Sequence, residues 1–200
     1  SGIVMAAHSI NKGEMPVLSK EGDFVFAEID SPRELIAKLL QYFRVMKKKA
    51  DEKELFDIQL LCPSKKGELG TINLNRELQN ILNPDEGYED RKVGEAVFRI
   101  KDKVMQVKNN YNIEWVDTVG NEDCGVFNGD VGWIFDINGR AEMMTVRFDD
   151  GKQVQYPFAD LDQLIHAYAM TVHKSQGSEF DTVLMVLSAP APLLTRNLLY

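Results

Sequence analysis

Cysteine is scarce in this chain of 200 residues. Only Cys62 and Cys124 occur, far apart and neither in a CxxC pair. That spacing excludes a disulfide framework and argues against a zinc site. The three histidines, at 8, 166 and 173, are too scattered to supply a ligand set, so no metal centre is expected. No apolar run approaches the roughly 18 residues needed to cross a bilayer. The first residues also lack the basic-then-apolar order of a secretion signal. A reducing, cytoplasmic setting without a membrane partner is the expectation. Positive charge is short as well: 23 Lys and Arg stand against 31 Asp and Glu, a net charge of −8. The whole-molecule field therefore repels nucleic acid, although a local groove is still open to it.

What is present is ordinary globular material, 44% hydrophobic and 27% charged, enough for one domain or two small ones. The run DFVFAEI (23–29) predicts a buried strand. SPRELIAKLLQYFRVMKKK then predicts a helix, with Ser31 as N-cap, Pro32 at the first position and Glu34 completing a capping box. Leu35, Leu39, Phe43 and Met46 recur at helical spacing. Lys47–Lys49 suit a helix C-terminus, with a DNA patch as the other reading. FDIQLLC (56–62) predicts a second strand, and the alternation suggests a βαβ unit in a parallel sheet. Leu74, Leu78, Ile81 and Leu82 mark another helix, ended by Asn83–Pro84. The loop before it, Pro63–Gly70, carries Lys65 and Lys66 beyond a strand's carboxyl end, where α/β folds bind ligands. A plain solvated loop is the alternative.

From about 95 to 165 the texture changes. VFRIKDKVMQV, VGWIFDI, MMTVRF and VQYPF are short strand-like runs split by NGD, NGR and DDG. That spacing predicts a small antiparallel barrel of SH3-like size. Arg99, Lys101, Lys103 and Lys108 would make a local basic edge on its first strand and exit. Trp115 and Trp133 read as packing residues. HAYAMTV and DTVLMVL then return to the texture of buried parallel strands, so the barrel is an insertion. Between those two runs, HKSQGSE places an imidazole, an ammonium, an amide and a carboxylate within seven positions. A plain connection needs only turn chemistry.

The stretch AYAMTVHKSQGSEFD resembles motif V of RecD/TraA-type helicases of superfamily one, the type of the exodeoxyribonuclease V alpha subunit. IVMAAHSINKGEMP resembles the entry to that family's second motor domain, and CPSKKGELGTINLNRELQNILNP its motif IV region. DKVMQVKNNYN with GVFNGDVGWI is similar to its inserted SH3-like domain. LLTRNLLY is similar to the lead into motif VI. The resemblance implies an α/β, RecA-like parallel-sheet domain without its own P-loop, interrupted by an SH3-like β-barrel. Its parts are expected at 1–94, 95–165 and 166–200, with the chain ending before motif VI is complete. No GxxxxGK[ST] sequence occurs, so the parent would hold ATP and Mg²⁺ with a separate N-terminal RecA-like domain, and this piece alone would hold neither.

By the same resemblance, Thr171, His173 and Lys174 contact single-stranded DNA, joined by Asn109, Asn110 and Tyr111 from the barrel. Gln176, Gly177 and Glu179 lie on the nucleotide side, with Lys65 and Lys66 where relatives place a basic residue near the phosphates. Lysine offers a point charge there instead of a bidentate fork. No catalytic or metal-binding residue is expected in the piece itself. From the residues alone His173 also reads as a core histidine, Tyr111 as a core or rim tyrosine, and Ser175 and Ser178 as caps. The leading expectation is a motor-domain piece of an ATP-dependent helicase serving DNA recombination or repair. The alternative is a non-enzymatic module that recruits protein through its SH3-like insertion. Nuclease-complex subunits are left open as partners.

Overall fold

The computed structural model describes residues 1–187. The lead into motif VI, 193–200, lies outside the described residues. The first half is helical: α1 (Gly2–Lys12), α2 (Pro32–Lys49) and α3 (Glu52–Phe56) precede β1 (Ile58–Cys62) and α4 (Thr71–Leu82). Nine strands follow: β2 (Asp90–Val93), β3 (Ala96–Arg99), β4 (Lys103–Gln106), β5 (Asn110–Val116), β6 (Glu122–Val126), β7 (Val131–Asn138), β8 (Met143–Phe148), β9 (Gln153–Pro157) and β10 (Leu164–His166). A 3₁₀ turn over Phe158–Gln163 precedes β10. The chain then forms β11 (Ala169–Thr171), the single-turn α5 (Val172–Ser175) and β12 (Thr182–Met185).

β1 is buried along its whole length and lies between β11 and β12, parallel to both. Its alternation serves two layers at once. Ile58, Leu60 and Cys62 pack with Leu39 and Phe43 of α2 and Leu74 and Leu78 of α4. Leu61 faces the other way, onto Met105, Val131 and Met170. The antiparallel sheet thus occupies the sheet face where a doubly wound fold carries its second helix layer. α2 starts where Ser31 Oγ accepts from Glu34 N. The predicted capping box is only half formed, because the Glu34 carboxylate pairs with Lys38. The full box stands at α3, between Asp51 and Glu54.

Several expectations need correction. DTVLMVL forms β12 but is not a buried strand, since Val183 and Met185 are exposed. DFVFAEI forms no strand. Both neighbours of β1 come from the far end of the chain, and Val25 stays exposed, so the βαβ unit is not built. VFRIKDKVMQV is two strands, broken at Lys101, whose φ of 75° lies in the left-handed region. HAYAMTV is also split: β10 ends the antiparallel sheet and β11 joins the parallel one.

The insertion is a seven-stranded sheet in the order β10-β4-β7-β8-β9-β5-β6, with β2 and β3 as a separate hairpin. NGD, NGR and DDG all fall in its turns. Val104, Leu164, Ile134, Val154 and Val126, from strands at both ends of that order, share one core. The sheet therefore curls around its own interior. Its outer strands, β6 and β10, do not pair, so the barrel is not closed.

Candidate nucleic-acid interface

The carboxyl ends of β1 and β11 leave the parallel sheet side by side, with Cys62 opposite Thr171. The Pro63–Gly70 loop and the 172–179 segment therefore emerge at one edge. Gly70 is needed in the first, since a Cβ there would lie 2.5 Å from the Lys66 carbonyl oxygen. The first amides of α4 are already used: Thr71 N donates to Ser64 O and Ile72 N to Lys65 O. The loop thus presents the exposed side chains of Lys65 and Lys66. Neither lysine has an ion-pair partner among the described residues.

α5 follows Thr171 directly. Its inner side rests on the insertion, where Val172 and Phe180 pack against the cluster of Leu61, Met105 and Val131. Its outer side carries His173, exposed and without a hydrogen-bond partner among the described residues. The core-histidine reading therefore fails for His173 and belongs to His166. Ser175 Oγ donates to Val172 O, and Ser178 N to Ser175 O, closing the turn. Gly177 sits in that turn with φ 86°, a conformation that costs other residues strain. Gln176, Gly177 and Glu179 are all exposed.

The insertion meets this segment at its rim. Lys174 Nζ donates to Asn128 Oδ1 at 2.6 Å. Asn128 N donates to Asn109 Oδ1 at 2.9 Å, and Asn109 Nδ2 to the Tyr111 hydroxyl at 3.3 Å. Tyr111 meets Phe127 edge-on, with ring centroids 5.7 Å apart. Lys174, Asn109 and Tyr111, expected from two distant parts of the sequence, thus share one continuous surface. Asn110 stands apart from it. Its oxygen accepts from Asn112 N and Ile113 N and its amide donates to Gln163, so it shapes the strand. Sequence reasoning missed Phe127 and Asn128. The signal was the GVFNGD turn itself, where an aromatic residue has no burial to explain it.

The basic edge is not assembled as expected. Lys103 is buried: its ammonium donates to Phe56 O and to Gln59 Oε1, and lies over the Phe56 ring. Burial pushes its pKa down to about 7, with Asp57 and Asp149 pulling weakly the other way. Lys108 pairs with Asp162, Lys101 with Glu52, and half-buried Arg99 donates to Asn83 O. For Lys103 the reason is position: β4 is the strand that faces the parallel sheet.

Beside Lys103 lies a second buried charge that sequence reasoning overlooked. The Asp102 carboxylate is fully buried. One oxygen accepts from Gln79, from Arg99 N and, at 2.9 Å, pairs with His166 Nε2. The other accepts from Asn83 and from the Tyr168 hydroxyl. Helix, insertion and the crossing between the two sheets all meet on that one group. The same bond pushes the Tyr168 phenol well above its ordinary range, after burial itself. Among the described residues, no cluster of His, Cys, Asp and Glu is placed to hold a metal ion. No described helix is long and apolar enough to cross a membrane.

Residues 74–148 match the ATP-dependent RecD-like DNA helicase SH3 domain, and residues 166–200 the UvrD-like helicase C-terminal domain. Over 99% of its length the chain is 37% identical to the ATP-dependent RecD2 DNA helicase of Deinococcus radiodurans, covering 24% of that protein. It is 29% identical over 71% of its length to the RecBCD enzyme subunit RecD of Mycolicibacterium smegmatis, covering 22% of it. The chain thus spans about a quarter of the length of these relatives. Bacteroides Pif1 helicase in complex with ADP-AlF3 and single-stranded DNA gives a loose likeness. Its TM-score is 0.43 at 14% identity, covering 83% of this chain and 45% of that one.

Proposed function

Since the chain belongs to the RecD-like DNA helicases, we propose that it supplies the single-stranded DNA grip and one wall of the ATP site in an ATP-driven motor. Residues 1–94 and 166–200 form the motor part in this reading, and 95–165 the inserted unit. One observation carries it. The bond from Lys174 to Asn128, continued through Asn109 to Tyr111, makes the motif V segment and the insertion a single surface. Thr171, His173, Lys174, Asn109 and Tyr111 would face the DNA backbone, with Asn110 holding the bend behind them. Such contacts position a strand without reading its sequence.

ATP and Mg²⁺ would sit at the other side of the same segment. Glu179, Gln176 and Gly177, with Lys65 and Lys66, emerge at the same sheet edge and suit the outer wall of a polyphosphate site. The phosphate cradle itself would come from a P-loop domain, since no GxxxxGK[ST] sequence occurs in this chain. When bound, the nucleotide supplies the energy of the stroke. This chain's residues only neutralise charge and orient it.

Titrating the chain with a labelled oligonucleotide at low salt tests the DNA side. A lost neutral hydrogen bond is worth about 0.5–1.5 kcal/mol. His173→Ala is therefore expected to weaken binding from a few-fold to about tenfold, equally for different sequences. Glu179→Ala should leave it unchanged. Equal losses in both variants, or a lowered melting temperature with intact binding in His173→Ala, would overturn the assignment.

A further inference from the structure

We propose that Phe127, with Tyr111 at its edge, is a stacking platform for an unpaired base of single-stranded nucleic acid. The proposal rests on the DNA-facing reading above and adds a residue and a type of contact to it.

Phe127 is 41% exposed and Tyr111 66% exposed, and neither packs against a hydrophobic core cluster of the described residues. The fold nevertheless fixes the phenylalanine in place. Phe127 N donates to Asp130 Oδ2, and Asp130 N returns to Phe127 O, so the turn is closed on itself. Two residues earlier Gly125 has φ 108°, and a Cβ there would lie 3.2 Å from Phe127 Cζ. A side chain at 125 would have to displace the ring. The two rings meet at 70°, an edge-on arrangement that does not use up a ring face as a stacked pair would, and the Lys152 ammonium lies over the Phe127 ring, 5.9 Å from its centroid. The next residue, Asn128, holds Lys174 at 2.6 Å, which brings an ammonium beside the aromatic pair. Ring faces for bases next to cations for phosphates are the recurring equipment of non-specific single-strand binding. A purely structural role leaves the exposure unexplained, because burial is what an aromatic ring contributes to a core.

The test uses the whole chain and a labelled 12-nucleotide oligothymidylate at low salt. Base–aromatic stacking is worth about 1–3 kcal/mol per base, or roughly five- to 150-fold in affinity. Phe127→Ala should weaken binding by that factor, and Phe127→Trp should hold near the original affinity. In a scan of single abasic positions, one position should reproduce the loss in the unaltered chain. That abasic strand should cost Phe127→Ala nothing further. Three results would overturn the proposal: Phe127→Ala binding normally while Lys174→Ala weakens, additive losses from the abasic strand and the variant, or no sensitive position in the scan. Failure of the unaltered chain to bind the oligonucleotide at all would remove the DNA reading itself. Should Phe127→Ala not fold, the abasic scan with the unaltered chain and Phe127→Trp decides. Saturable binding of a peptide with no response to the oligonucleotide would assign the rings to a protein partner instead.

Discussion

At the scale of single residues, two adjacent buried charges carry more consequence than any exposed one. The folded Lys103 has its pKa near 7, while the unfolded side chain keeps the ordinary value of 10.5. Between those values the unfolded chain holds a proton that the folded chain releases, so stability rises with pH across that window. Below about pH 7 that contribution is lost. The slope is at most about 1.4 kcal/mol per pH unit. Lys103→Met should remove it, while leaving the Phe56 carbonyl and the Gln59 amide oxygen without their donor. Thermal melts from pH 6 to 10 should therefore show the original chain ahead at high pH, with the gap narrowing toward pH 6. Parallel curves would refute this. Asp102→Ala strands five donors at once, and loss of a partner in a buried charged network costs roughly 3–5 kcal/mol. Denaturant unfolding should show that loss, with Asp102→Asn in between because it keeps one acceptor.

At the scale of elements, the two strongly periodic helices, α2 and α4, were legible, whereas α1, α3 and the sheet partners were not. The stripe Leu35, Leu39, Phe43 and Met46 and the Ser31 cap are local signals, and α2 forms over them. The NGD, NGR and DDG turns are local too, and each lies where a chain reversal occurs. Pairing is not local. Nothing near DFVFAEI tells that β1 will be flanked on both sides by strands more than a hundred residues later. Within VFRIKDKVMQV a local basic edge was expected, but β4 is buried along its whole length and carries Lys103 inward. The motif V residues were named through resemblance, and Phe127 was passed over because turn residues are read for polarity. One glycine shows how tightly the paired strands are set. A Cβ on Gly132 of β7 would lie 2.2 Å from the Arg147 carbonyl oxygen of β8. Gly132→Ala is expected to force the ladder apart and cost about 1–3 kcal/mol, the usual range for overpacking. Unfolding in urea measures it, and an unchanged midpoint would mean the strands yield freely.

At the scale of the whole molecule, the buried joint decides how the parts behave together. Asp102 and Lys103 bind the insertion to α4 and β1, and Gln59 returns bonds to the Ala167 and Tyr168 carbonyls. Calorimetry should therefore give a single transition with equal calorimetric and van't Hoff enthalpies. Two separate peaks would show that the joint is weaker than drawn. The absent P-loop sequence predicts no ATP turnover by this chain, with or without DNA, and measurable DNA-stimulated hydrolysis by a clean preparation would contradict that. The placing of β1 has a further effect, in time instead of space. During synthesis its five buried residues leave the ribosome more than a hundred residues ahead of β11 and β12, the only strands that pair with it in the described structure. The antiparallel unit, with its short hairpins, can form in that interval, whereas the parallel sheet must close a long loop first. Until then Ile58, Leu60 and Leu61 are exposed to other nascent chains, and that interval is when aggregation competes with folding.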